Sequence, residues 1–485
     1  MVEIGYRQTQ QDFAACFADS LSVLPVDTWW EDWMRQADHI LDDPELVDIV
    51  YRAMLQRCPK SRTRGRLSTP AEVVLRLLVL KHLRNWSYVV LAREVRANLV
   101  YRQFTRIGLE TVPHPKTIGK LGLLLGPEVV QQLHQGLVAR AQAEKVIRGR
   151  KLRVDTTVVE TNIHYPTDSS LLGDGVRTLT RSMENISEVV GHMGEKLRNR
   201  QRSVGHRLIE IGRASRGRGP QAREKLQQRY RKLLGTTGQV IAQAKRFSKQ
   251  IADGVKRSSN VLQQAALDGL KQELDRMIPR VQQVVRQTRA RIVDGITDSA
   301  GKIVSLFEYT TEIIRKGKAG KPTEFGKMIK VQEAENQIIT AYQVYSQRPA
   351  DSKLLIPAIE QHRQQLGVMP RLVATDAGFF SAANETAAQE MGVARIAVPF
   401  LGTQSPQRLK RQRERWFRTA QKWRTGCEGR ISLLKRRHGL DRCRYKGDAG
   451  MQRWVGLGVF ADTLINIGRA LIARQPRKKS TNAAP

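Results

Sequence analysis

Lys151-Leu-Arg-Val-Asp155-Thr-Thr-Val-Val-Glu160 is the stretch on which the fold turns. Its alternating, β-branched residues predict a strand. Asp155 lies inside it among apolar neighbours, where a charge is costly unless it serves a purpose. Glu160, five positions on, falls on the opposite face by period-two alternation. Downstream, Ile303 to Tyr309 reads as a strand, and Glu324 to Val331 as another that Asn336 to Tyr345 answers antiparallel. A helix from Pro357 to Gln365 leads to Arg371-Leu-Val-Ala-Thr-Asp376, a short apolar strand that stops before Ala377-Gly378. A helix (Ala382 to Met391), a strand (Val393 to Pro399) and a helical stretch from Arg411 complete the series. Strands alternating with helices predict a mixed α/β sheet with helices packed on it.

Upstream, residues 1–66 are a mixed lead-in ending in the basic linker Lys60-Ser-Arg-Thr-Arg-Gly-Arg66. A helical module spans 67–147. Thr69 is placed to cap its first helix, with Pro70 in the first turn and Glu72 at the capping-box position. Ser87 can cap a second helix; a third starts near Pro115-Lys116-Thr117, and a fourth covers Gly126 to Glu144. Short helices with basic outer faces suit a helix-turn-helix DNA reader, or equally a plain dimerisation bundle. Lys116, Lys120 and Arg106 are its candidate phosphate contacts; the bland alternative is solvated charge.

Between the first strand and the hairpin lies an insertion, residues 177–300. Leu179, Met183, Ile186, Val190, Met193 and Leu197 recur at steps of four and three, as do Leu267, Leu270, Leu274, Met277, Val281 and Val284. That is coiled-coil spacing, and it predicts an antiparallel helical hairpin interrupted at Gly235 to Gly238. Its role is to hold DNA, to hold a second subunit, or merely to space. Residues 474–485 form a basic tail.

The chain has 485 residues, with 82 Lys and Arg against 46 Asp and Glu, a formal charge of +36. A hydrophobic fraction of 40% excludes wholesale disorder. An excess charge this large repels itself in a compact state unless a polyanion is near, so nucleic acid is the default partner. A membrane-surface protein would need a basic amphipathic helix beside an apolar anchor, and none stands out. Trp454 to Ile472 is interrupted by Asp462, Asn466 and Arg469 and is too polar to span a bilayer. The first residues do not form a signal peptide. Cys16, Cys58, Cys427 and Cys443 are scattered, which fits a reducing cytoplasm better than a zinc ribbon or a disulfide scaffold.

Three carboxylates stand out by position: Asp155 within the first strand, Asp376 at the end of a later one, and Glu428 on a helix near the end. α/β sheets place their sites at the carboxyl ends of strands. Arg424, Glu428 and Lys435 form R-x3-E-x6-K, whose steps of four and seven keep all three on one helix face. A carboxylate there can hold a metal while the two cations contact phosphates. Asp168 and Asp174, in turn-like sequence, are alternative ligands. His164 and His438 are incidental unless they fold near the site. Trp423 can stack on a base or serve as core.

These blocks resemble the DDE transposases of prokaryotic insertion sequences. Val154 to Asn162 is similar to their first aspartate block, and Ala374-Thr-Asp376-Ala-Gly-Phe379 to the second. Lys318-Ala-Gly-Lys-Pro-Thr-Glu-Phe-Gly326-Lys327 is similar to the Lys-rich hairpin of one branch, and Arg424 to Arg442 to the last block. Leu67 to Arg106 resembles that branch's N-terminal helical domain. One position departs: where the family pattern has a tyrosine three residues before the arginine, this chain has Gln421.

The resemblance implies an RNase H-like catalytic domain (148–176 and 301–473), an N-terminal all-α DNA-binding domain, and a helical, coiled-coil-like insertion. It implies metal-dependent cleavage at element ends and strand transfer into target DNA. Asp155, Asp376 and Glu428 would be the catalytic acids, holding two Mg2+ ions for which Mn2+ can substitute. Arg424, Lys435, Lys327 and Lys446, with Lys116 and Lys120, would contact DNA. The expected partner is double-stranded DNA, as terminal repeats and target; the expected state is a homo-oligomer, in the cytoplasm at the nucleoid, with no membrane. A noncatalytic DNA-binding derivative and a nuclease of the same fold are the alternatives.

Overall fold

The structure, a computed structural model, describes residues 29–57, 69–191, 193–298, 301–315, 322–402 and 405–474. Most of the lead-in, the basic linker, the first residues of the Lys-rich block and the tail beyond Arg474 lie outside them. Two compact units are formed, one by residues 1–159 with 328–485, the other by 160–327.

In chain order the elements are helices α1 (Asp32–Leu41), α2 (Pro44–Arg57), α3 (Ala71–Leu83), α4 (Tyr88–Ala97), α5 (Leu99–Phe104), α6 (Pro115–Leu124) and α7 (Pro127–Ala143). Strand β1 (Lys151–Glu160) is followed by α8 (Asp168–Val190), α9 (Gln201–Ala214), α10 (Pro220–Ala252) and α11 (Val261–Ile292). Then come β2 (Glu312–Arg315), β3 (Thr323–Glu333), β4 (Ile339–Val344), α12 (Leu355–Leu366), β5 (Leu372–Ala374), α13 (Ala382–Glu390) and β6 (Arg395–Ala397). Helices α14 (Pro406–Arg413), α15 (Arg415–His438) and α16 (Gly447–Arg474) close the chain.

The sheet is mixed, in the order β2-β3-β1-β5-β6, with β4 also paired to β3. β1 runs parallel to β5 and β5 parallel to β6, while β3 is antiparallel to β2 and to β4. Helices flank the sheet, as the resemblance implies. The residues from Leu152 to Asp155 and from Thr157 to Val159 are all buried, so β1 is covered on both faces.

In the first unit, α3 is buried almost all round. The cost of burying Arg76 there is met by Asp38 (2.5 Å), Asp42 (2.6 Å) and Glu72 (2.9 Å). Arg106 joins the same three acids at 3.0–3.3 Å. Its guanidinium is therefore committed to an ion-pair network rather than offered to phosphate. The cap of α3 is Pro70, which makes no side-chain bond, instead of Thr69; Ser87 does cap α4, accepting from Val90 N at 3.2 Å. Helix α16 is long and apolar enough to cross a membrane, but it is mostly buried and packs on α1, α3 and α7 as a core helix. Gly456 permits that approach: a Cβ there would lie 2.6 Å from Val130 Cγ1 and collide with the Tyr342 hydroxyl. The N-terminal helices thus share one core with α16.

Lys81, 3% exposed, lies 5.0, 5.0 and 4.7 Å from the ring centroids of Tyr88, Tyr445 and Trp454. Three ring faces attract the ammonium but supply no full counter-charge. Burial first, and Arg444 second, lower its pKa from 10.5 to about 7. The unfolded chain therefore binds more protons than the folded one between those values, and stability rises with pH across that window. Lys81→Met should remove the rise. Urea unfolding would show its largest stability gain at about pH 6 and almost none at about pH 10.

In the second unit, the described residues of the insertion form four helices, α8 to α11, and not a two-armed hairpin. Leu172, Leu179 and Met183 pack with Leu233, Val240, Phe247, Leu267, Leu274 and Val281. The expected break at Gly235 to Gly238 is absent, because the stripe Leu226, Tyr230, Leu233, Leu234, Val240, Ile241, Phe247 runs through it. A glycine inside a helix costs about 1 kcal/mol but keeps its hydrogen bond, so packing overrides it. Asp168 and Asp174 lie in α8 and not in turns, because Thr167 and Ser170 form a capping box that starts the helix. The strand expected at Ile303 to Tyr309 is irregular, and β2 begins at Glu312. Side chains of α11 satisfy that segment instead: Gln287 bonds both the amide and the carbonyl of Ile303 at 2.9 Å, and Arg280 donates to Leu306 O at 2.8 Å.

Candidate functional site

The register of β1 on β5 pairs Lys151 with Leu372, Leu152 with Val373 and Arg153 with Ala374, a constant offset of 221. Asp155 and Asp376 carry the same offset, each two positions beyond the last pair. A parallel sheet with this register sets the two aspartates side by side at its carboxyl edge, although 221 residues separate them.

Asp155 is 7% exposed. Burial pushes its pKa up to about 6; the nearby Asp376 and Glu428 carboxylates push the same way, against the Thr156 N–H and Arg424. Its Oδ1 accepts from Thr156 N at 2.7 Å. Asp376 caps the turn Ala377–Phe379 by accepting from Gly378 N at 3.0 Å. Burial raises its pKa too, followed by the charge of Asp351.

Helix α15 brings the third acid. Arg424 Nη2 donates to Glu428 Oε1 at 2.7 Å, and Arg424 Nη1 lies 3.8 Å from Asp155 Oδ2. Arg424 is mostly buried while the Glu428 side chain is 58% exposed. So α15 places one guanidinium between two carboxylates, and Glu428 at the open side.

The helix is held to the sheet from several points. Gln421 Nε2 donates to Ala397 O at 2.5 Å and Thr375 O at 3.2 Å, which ties α15 to the ends of β5 and β6. The residue that departs from the family pattern is thus a clamp. Arg153, buried on β1, pairs with buried Glu333 on β3 and donates to the Trp423 carbonyl. Gly426 makes room for it, since a Cβ there would stand 2.5 Å from Arg153 Nη1. Arg430 pairs with Asp462 on α16 at 2.8 Å, both buried.

Asp351 lies beside the candidate acids although no motif marks it. It opens the turn Asp351–Leu354, accepts from Thr156 Oγ1 at 3.1 Å, and acts electrostatically on Asp376. Nothing in its local sequence, Pro-Ala-Asp-Ser-Lys, marks it apart from an ordinary turn.

The other expected residues are placed as follows. Lys116 and Lys120 are exposed on α6, Lys446 is exposed just before α16, and Lys435 is half-buried on α15. Lys327 is a correction: on β3 it is 2% exposed, so its ammonium is not presented to a DNA surface. The resemblance implies a DNA contact for this lysine, but β3 is buried from Gly326 to Glu333. Asp168 pairs with Arg291 at 3.2 Å, and Asp174 with Arg177 and His164, all within the second unit. His438 is buried, bonded to the carbonyl of His82 at 3.3 Å and near Asp462. Trp423 is half-buried beside Arg153, at 4.8 Å from ring centroid to guanidinium.

The donor set is all oxygen, the chemistry that hard divalent cations such as Mg2+ select. Among the described residues no three His, Cys, Asp or Glu side chains stand close enough together to hold a metal ion. The Arg424 guanidinium supplies the positive charge between Asp155 and Glu428 here. The donors fit the cation in kind, and a buried carboxylate raised to about 6 beside like charges is one that a cation would relieve.

Residues 31–121 match the family described as Transposase domain (DUF772), and residues 286–461 match Transposase DDE domain. The second match spans α15 and both Asp376 and Glu428; the first spans α1 to most of α6. No curated protein and no solved structure matches the chain.

Proposed function

From a chain that belongs to the DDE transposases, we propose a DNA transposase that cleaves element ends and joins them to target DNA, with Asp155, Asp376 and Glu428 as its catalytic acids. The observation that carries this reading is the shared offset of 221 between β1 and β5, which makes neighbours of Asp155 and Asp376. Glu428 is linked to Asp155 through Arg424, which lies 2.7 Å from the one and 3.8 Å from the other, and acts electrostatically on Asp155.

Asp155, Asp376 and Glu428 would hold divalent metal, Mg2+ with Mn2+ as substitute, in a two-ion arrangement. Bound there, the ions supply Lewis-acid charge and a template for in-line displacement at phosphorus. The chain's own residues do the rest. Arg424, released from Glu428 and Asp155 when their charge is met, turns its fork to a phosphate. Lys435 adds charge two turns along the same helix. Exposed Lys116, Lys120 and Lys446 position duplex DNA by its backbone. Water would attack first and free a 3′-hydroxyl, which then attacks the target strand. Handling two ends at once calls for a homo-oligomer acting on double-stranded DNA in the cytoplasm.

The test is to incubate the protein with supercoiled DNA carrying the inverted repeats that flank its reading frame, with Mg2+, and resolve the products. Joined products are expected. Nicks without joining would reduce the reading to a nuclease, and retardation without cutting would reduce it to a binder.

A further inference from the structure

At the amino ends of β1, β5 and β6, opposite the edge that carries Asp155 and Asp376, the first unit has a groove of about 1030 Å3. The first turns of α15 form its other wall. Arg150, Lys151, Arg371, Arg395 and Arg415 line it and are exposed. Among the described residues none of the five side chains is paired with a carboxylate. Trp416 and Trp423, two helical turns apart on one face of α15, also line it and are each partly exposed. The one acid in the lining, Glu414, already accepts from Trp416 Nε1.

We infer that this groove is a second nucleic-acid site that takes an unpaired DNA strand, its bases against Trp416 and Trp423 and its phosphates against Lys151, Arg371, Arg395 and Arg415. The inference rests on the reading that the chain handles DNA. Five cations without carboxylate partners in a concave wall call for a polyanion. Two indoles set among them call for a polyanion with π-faces to offer, which an acidic peptide lacks. A duplex keeps its bases stacked inside; only an unpaired strand can bring them to rings recessed between a sheet edge and a helix. Cations already attend both rings: Arg153 and Lys151 lie 4.8 and 5.8 Å from the Trp423 centroid, and Arg395 lies 5.7 Å from that of Trp416. The groove is thus built apart from the cutting edge, where a strand freed by cleavage or opened in the target can be held.

Binding of labelled oligothymidylate and of a labelled duplex to the full-length protein would be followed by anisotropy, with tryptophan fluorescence as a second readout. Trp416→Ala/Trp423→Ala should weaken oligothymidylate binding by about tenfold or more. Duplex binding should stay within about twofold, and the quench of tryptophan emission on binding should be lost. Trp416→Phe/Trp423→Phe should restore most of the affinity, which a merely structural role would not require. Arg371→Glu/Arg395→Glu should produce the same selective loss. Unchanged oligothymidylate binding in both sets, or displacement by polyglutamate as effective as by unlabelled strand, would overturn the inference. End cleavage by the wild type is read separately. Its absence would sink the transposase reading while leaving the single-strand result standing, and intact cleavage with no single-strand effect would sink only the groove.

Discussion

Asp155→Asn should abolish cleavage of element ends, by about three orders of magnitude or more, while duplex binding stays within about twofold. The substitution keeps the volume and the acceptor for Thr156 N, so the fold has little reason to change. What it removes is a formal charge at a buried position that already carries the repulsion of Asp376 and Glu428. On that account the substituted protein should be no less stable than the wild type in urea. Loss of activity with undiminished stability separates a catalytic acid from a structural one. Asp376→Asn and Glu428→Gln should behave alike, because a site that shares charge among three acids fails when any one is neutralised. Full cleavage by any single variant would remove that residue from the set, and retained cleavage by Asp155→Asn would end the proposed mechanism.

Glu333→Leu should be the most destabilising single change near the site. Glu333 and Arg153 are 0% and 3% exposed at the side chain and paired to each other. Removing one partner leaves a guanidinium buried without its counter-charge, which costs about 3–5 kcal/mol. Arg153 also holds the Trp423 carbonyl against the sheet, one residue before Arg424. Cleavage should therefore fall along with stability. Arg153→Met/Glu333→Leu removes both charges and should recover most of the lost stability, with a urea midpoint near the wild type. Cleavage should recover less, since α15 loses its tether. A double variant as unstable as Glu333→Leu alone would show that the cost came from cavity or strain.

Legibility followed interaction range. β1 was readable to its end residues because β-branched alternation is a local property, and so was Ser87 as a cap. The candidate acids stand out because a carboxylate inside an apolar strand, and another at a strand's end, are anomalies visible in a few residues. Asp351 carried no such anomaly; only the chain's return through its turn brings it to Thr156 and Asp376. Lys327 and Arg106 depart from expectation for the reverse reason. A cation is exposed by default, and only burial beneath other elements, or three acids from two other helices, says otherwise. In the insertion, the apolar run from Leu226 to Ile251 holds one helix through two glycines that locally favour a break, so the two-armed hairpin gives way to four helices among the described residues.

Local order, the class of the fold and the candidate acids are thus written in short stretches of chain, since propensity, periodicity and the cost of a misplaced charge act over a few residues. The offset that sets Asp155 beside Asp376, the tethers that aim Glu428, the helix count of the insertion and the tryptophan-lined groove came only with the folded chain. Each depends on groups tens to hundreds of residues apart, and their meeting is settled by which buried surfaces close on one another.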